Sequence, residues 1–197
     1  MMVFWYQRLV FLATPKTGST AIEAALDGLA SFSVLRPRAA KHTDAARFRR
    51  FLGPYLASSA GDEFTTVALM REPLDWLGSW YRSRQEEAEP EADLSTQGLG
   101  FDRFVRDHLA AAPPRHADVG SQARFLGHPE AAVDRIFAYE DIDRFVAFLE
   151  DRLDCEITLP RLNVSPAADL EIEPGTVARL RAHAAVDYAL WERLRRG

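Results

Sequence analysis

Only two of the 24 basic residues in this 197-residue chain are lysine, Lys16 and Lys41. An ammonium is a compact point charge and a guanidinium a planar fork, so a retained lysine in an arginine-rich chain marks a place where geometry is tight. Lys16 belongs to the run Pro15-Lys16-Thr17-Gly18-Ser19-Thr20. Gly18 lets the backbone approach a ligand closely, Ser19 and Thr20 add hydroxyl donors, and Lys16 adds charge. Set between a buried strand and a helix, such a run aims backbone N–H groups and the positive end of the helix dipole at an anion. It is not the loop of nucleoside triphosphatases, because the octet Ala13 to Thr20 has alanine at the first required glycine and Ser19 where lysine is required.

A second anion-binding set follows at Arg71 to Tyr81. Arg71 offers a fork of donors, and Ser79 shares a helix face with Asp75 and Arg82 through four- and three-residue spacing. Between the two sets lies Lys41-His42-Thr43. A neutral imidazole near its reference pKa of about 6.5 can take a proton from a hydroxyl near neutral pH, so His42 reads either as a general base or as a capping or surface histidine.

These residues need strands to carry them and helices to orient them. Val3 to Ala13 reads as a first buried strand, Ser19 to about Leu29 as a helix, and Thr43 to Leu52 as another. Thr65 to Met70 predicts a second strand, and Pro73 opens a helix that runs to about Glu87. Glu86 to Gly100 is acidic and reads as a loop or flexible connection. Helices follow at Phe101 to Ala112, Asp141 to Leu153 and Pro174 to Arg195, with a third strand at Arg135 to Tyr139. Strands alternating with helices predict an α/β fold, one domain over residues 1–197, with a central mainly parallel sheet flanked by helices and a phosphate-loop-like site at the carboxyl ends of the strands. The first and second strands are expected to end at Thr14 and Arg71.

The run Pro15 to Thr20 after a buried strand resembles the 5′-phosphosulfate loop of sulfotransferases that use 3′-phosphoadenosine 5′-phosphosulfate (PAPS). Arg71 and Ser79 resemble the family's 3′-phosphate site, which pairs an arginine at a strand end with a serine eight positions later. Glu72 stands where the family often has asparagine. Leu159 to Pro166 resembles a late loop of the bacterial and Golgi carbohydrate branch, where an Asn-x-Ser pair, here Asn163 and Ser165, helps to close the cofactor site. The proline after Ser165 and the lack of a secretory signal weigh against reading it as a glycosylation acceptor. The resemblance implies transfer of a sulfuryl group from PAPS to a hydroxyl or amine acceptor, leaving 3′-phosphoadenosine 5′-phosphate (3′,5′-ADP). Lys16 and His42 would be the catalytic pair. Pro15, Lys16, Thr17, Gly18, Ser19, Thr20, Arg71, Ser79, Asn163 and Ser165 would bind the cofactor.

Composition bounds the rest. A net charge of -5 argues against a general nucleic-acid binder, which needs a surplus of clustered cations. The opening apolar stretch is too short for a membrane helix, and the single cysteine, Cys155, requires no oxidising compartment, so a cytoplasmic protein is expected. His108, His116, His128 and His183 lack metal-ligand spacing, and Glu140 and Asp141 are the only acidic candidates after a strand, so a metal-independent reaction is expected. The partner is a small-molecule or carbohydrate acceptor, and the sequence sets no oligomeric state. Two other readings remain open: an ATP-dependent phosphate-loop kinase and a non-catalytic nucleotide-binding module.

Overall fold

A computed structural model describes residues 1–86, 92–130, 132–160 and 168–196. The stretch expected to be one strand is a hairpin, β1 (Met2–Phe4) and β2 (Leu9–Leu12), paired antiparallel with Val3 opposite Val10. Arg8 makes the reversal by adopting a left-handed backbone, φ 51°, and its amide closes the turn onto the Trp5 carbonyl at 3.3 Å. The chain then forms α1 (Ser19–Leu26), β3 (Phe32–Ser33) and α2 (Arg38–Lys41). Next comes α3 (Ala45–Arg47), capped by the Asp44 carboxylate on the Arg47 amide at 2.7 Å. It continues through a π-helical turn (Phe48–Leu52) into α4 (Gly53–Ala60).

β4 (Thr65–Met70) leads into α5 (Pro73–Glu86), then α6 (Phe101–His108) and α7 (Gln122–Phe125). β5 (Arg135–Ala138) precedes α8 (Ile142–Leu153), which Asp154 ends in the left-handed region at φ 52°. The expected last helix is two: α9 (Pro174–His183) and α10 (Ala185–Arg196), broken at Ala184. Part of the segment expected to be a flexible connection is packed. Thr96 is fully buried, with its hydroxyl on the Tyr81 carbonyl at 2.9 Å.

The sheet order is β3-β1-β2-β4-β5. Only β2–β4 and β4–β5 are parallel, whereas β1 pairs antiparallel with both β2 and β3, so the sheet is mixed rather than mainly parallel. The hairpin is the reason: a tight reversal at Trp5 to Arg8 can only return the chain antiparallel. Side chains alternate across the sheet as period-two geometry requires. Val10, Leu12, Ala68 and Met70 pack with Phe48, Leu56 and Leu190 on one face; Leu9, Phe11, Val67 and Leu69 pack with Ile22, Phe145 and Leu149 on the other. Burial of β2 and β4 on both faces fixes the level of their carboxyl ends. A third cluster, built on Trp76, Trp80, Tyr81 and Phe104, holds α5 against α6 and the C-terminal helices. The whole is a single α/β domain, and no helix among the described residues is long and apolar enough to cross a membrane.

Candidate functional site

The three parallel strands end side by side, and the segments that leave them touch one another. From β2 the chain runs through Thr14 to Gly18 into α1. Gly18 has φ 73°, and a Cβ there would stand 3.0 Å from Cε2 of Tyr139, the residue that follows β5. Glycine at 18 therefore answers both a left-handed backbone and a close approach. Lys16 also has positive φ, 64°, which turns its carbonyl toward Arg71. The guanidinium of Arg71 donates from Nη1 to that carbonyl at 3.3 Å and lies over the Tyr139 ring at 4.8 Å. Its Nε also pairs with Asp75, one helical turn on.

Helix α1 begins at Ser19 with no side-chain cap, so the first-turn amides that a helix leaves without an intrahelical acceptor face this junction. The Thr17 hydroxyl is directed inward to the Thr14 carbonyl at 2.9 Å, and Thr17 is fully buried. Its backbone, not its hydroxyl, is what this residue offers a ligand. Ser19 is buried, and Thr20 is exposed with its Oγ1 accepting from Lys41 Nζ at 3.5 Å. Lys41 in turn forms an ion pair with Glu23 on α1 at 2.6 Å. The Pro15 carbonyl accepts from Trp76 Nε1 at 2.9 Å, which ties the loop to α5. Lys16 Nζ lies 5.3 Å from the centre of the Trp80 ring, and Ser79, beside Trp80, is buried.

Arg71 is held by its backbone as well. Gln122 accepts from the Arg71 amide at 2.9 Å through Oε1 and donates from Nε2 to the Arg71 carbonyl at 2.8 Å. Glu72 does not point its carboxylate at the junction. Its Oε2 accepts from the Asp75 amide at 2.6 Å and caps α5, a role asparagine would also fill. Burial raises the Glu72 pKa above the usual carboxylate range. Burial, followed by the charge of Glu72, pushes the Tyr188 hydroxyl up in the same way.

His42 stands at the end of β2, its Nδ1 2.7 Å from the Ala13 carbonyl. A carbonyl can only accept, so Nδ1 carries the proton and Nε2 presents the lone pair. Burial, chiefly, lowers the His42 pKa to about 4, which keeps the ring neutral near pH 7.

The structure thus brings Pro15, Lys16, Thr17, Gly18, Ser19, Thr20, His42 and Arg71 to one end of the parallel strands, with Ser79 on the adjoining helix. Asn163 and Ser165 lie outside the described residues. Tyr139 and Trp80 were missed as site-building residues, since only spatial proximity links them to the two runs; Gln122, which in sequence reads as either an acceptor-facing or a helix-start glutamine, opens α7 and holds Arg71.

Three buried polar atoms in this region lack a hydrogen-bond partner among the described residues: Thr14 Oγ1, Trp80 Nε1 and Oε1 of Glu23. Orphaned donors are costly unless a ligand or water satisfies them. With the uncapped helix, the Thr14 hydroxyl and the Trp80 N–H are donors that suit an anionic ligand, whereas Glu23 Oε1 can only accept. The sequence matches no protein-family model, and no curated protein is significantly similar to it.

Proposed function

We propose that this chain is a metal-independent sulfotransferase that moves a sulfuryl group from PAPS to a hydroxyl or amine acceptor. One observation supports the reading: Arg71 Nη1 meets the Lys16 carbonyl at 3.3 Å, which sets the two runs against each other at adjacent strand ends. A nucleotide with phosphate at both ends needs two such neighbours. The loop Pro15 to Thr20, phosphate-loop-like in its strand-to-helix setting, would hold the 5′-phosphate end through backbone amides at Gly18 to Thr20. Arg71 and Ser79 would hold the 3′-phosphate, and Asn163 and Ser165 would close over the nucleotide.

The bound donor supplies a sulfur that accepts the acceptor's lone pair as its bond to the bridging phosphate oxygen breaks. Lys16 sets positive charge where that oxygen becomes negative, which lowers the barrier without covalent chemistry. His42 takes the acceptor's proton on Nε2, the nitrogen that the Ala13 carbonyl leaves available. Its neutrality supports this role, while its lowered pKa limits its strength as a base.

Calorimetry with 3′,5′-ADP and 5′-ADP, each with and without magnesium, tests the reading. Tight metal-independent binding of 3′,5′-ADP alone is the expected result. A magnesium-dependent preference for ATP would make the chain a kinase. Binding without transfer of labelled sulfate to a panel of sugars, alcohols and amines would make it a binding module.

A further inference from the structure

Lys41 is the retained lysine to which the proposed chemistry gives no task. It closes α2, a helix that buries none of its residues, so packing does not place the segment that delivers His42. Polar contacts do. The Lys41 ammonium meets Oε2 of Glu23 at 2.6 Å and Oγ1 of Thr20 at 3.5 Å. Thr20 and Glu23 stand three residues apart on one face of α1, the helix whose uncapped first turn faces the anion site. The Met1 amine donates to the Lys41 carbonyl at 2.9 Å. One residue on, Nδ1 of His42 meets the Ala13 carbonyl at 2.7 Å.

Burial gives this ion pair its weight. The Glu23 side chain is 6% exposed and that of Lys41 16%, and Glu23 Oε1 has no hydrogen-bond partner among the described residues. Lys41 supplies the direct contact that compensates the carboxylate, and such a carboxylate is costly once its partner is removed. The contacts also explain why lysine stands here. An ammonium can turn its three donors to two acceptors spaced along a helix, whereas a planar guanidinium suits a single carboxylate. Charge adds to placement. Burial, chiefly, holds the His42 pKa low; the Ala13 carbonyl opposes it, and the charges of Lys41, Arg38 and the Met1 amine lower it further. Two of those cations come from the segment of His42 itself, and the third lies beside β1.

We infer that Lys41, anchored on Glu23, is the positioning residue of His42: it joins the segment that carries the base to the helix that faces the anion, and so sets the proton acceptor against the leaving group. That His42 is a base rests on the sulfotransferase reading; that Lys41 holds its ring does not. In-line displacement tolerates little error, since a misplacement of about 1 Å can cost about 100-fold in rate.

The test follows the His42 imidazole nitrogens by NMR in the full chain without nucleotide, assigned by their loss in His42→Gln. The unaltered ring should keep one tautomer at neutral pH, with its proton on Nδ1, and should titrate at about 4. The double variant Lys41→Met with Glu23→Gln removes both charges and leaves no buried ion unpaired. Its ring should mix tautomers and titrate about half a unit or more closer to the ordinary value of about 6.5. Lys41→Arg keeps the charge beside Glu23 and should show the same change in smaller measure. With PAPS, the double variant should lose about 10- to 100-fold in kcat while its 3′,5′-ADP affinity holds. A native tautomer and midpoint in both variants overturn the inference, whatever the rate. Equal losses of nucleotide affinity and kcat would make Lys41 a plain support of α1 and overturn it as well. Failure of 3′,5′-ADP to bind the unaltered chain overturns the sulfotransferase reading instead, and the ring measurement still decides what Lys41 does.

Discussion

Arg71 already holds an anion of its own, the Asp75 carboxylate, which also lies 3.7 Å from Arg82. A phosphate arriving at Arg71 must compete with it, so Asp75→Asn should tighten 3′,5′-ADP binding several-fold in calorimetry. Arg71→Ala should weaken it by about 10- to 100-fold, the range expected when a charged hydrogen-bond partner is lost. Lys16→Ala should act mainly on turnover from PAPS, and unchanged turnover would remove lysine from the proposed chemistry. His42 makes a claim about pH. A pKa of about 4 in the folded chain lies below the ordinary histidine value, so its stability contribution is present above about 6.5 and is lost as pH falls from there toward 4. Urea midpoints should drop across that window and drop less in His42→Gln. The acid limb of kcat/KM, which reports the free enzyme, should fall near 4; a limb at 6.5 would exclude His42 as the base.

At the level of elements, the junction depends on how strand ends are pinned. Gln122 satisfies both backbone groups of Arg71, so Gln122→Leu should leave a buried donor and acceptor unpaired and cost about 1–3 kcal/mol in urea unfolding. Gly18→Ala should disturb the loop through both its φ and the Tyr139 ring, and should weaken nucleotide binding as well as stability. The sequence announced β2, β4 and the start of α5 because apolar alternation and Pro73 are local signals. It hid the reversal at Arg8, since no glycine or proline marks the turn and an arginine takes the left-handed conformation. The break at Ala184 was hidden for the same reason. Tyr139 was illegible for another: a tyrosine after a strand becomes a site residue only when β4 and β5 lie side by side. Gln122 was legible as a helix-start residue, but its grip on both backbone groups of Arg71 comes only with the fold.

For the molecule as a whole, net charge and local charge oppose each other. A chain of net charge -5 offers an anionic nucleotide no long-range attraction, so Lys16 and Arg71 act at short range within a site walled by α5 and the sheet. The same architecture roots the site in the centre of the sheet, because β2 and β4 are interior strands covered on both faces. Their amides should be the slowest of the chain to exchange with deuterated water, opening only when everything unfolds. A ligand seated at their ends would then slow exchange throughout the domain instead of in one loop, and raise the melting temperature of the entire cooperative unit.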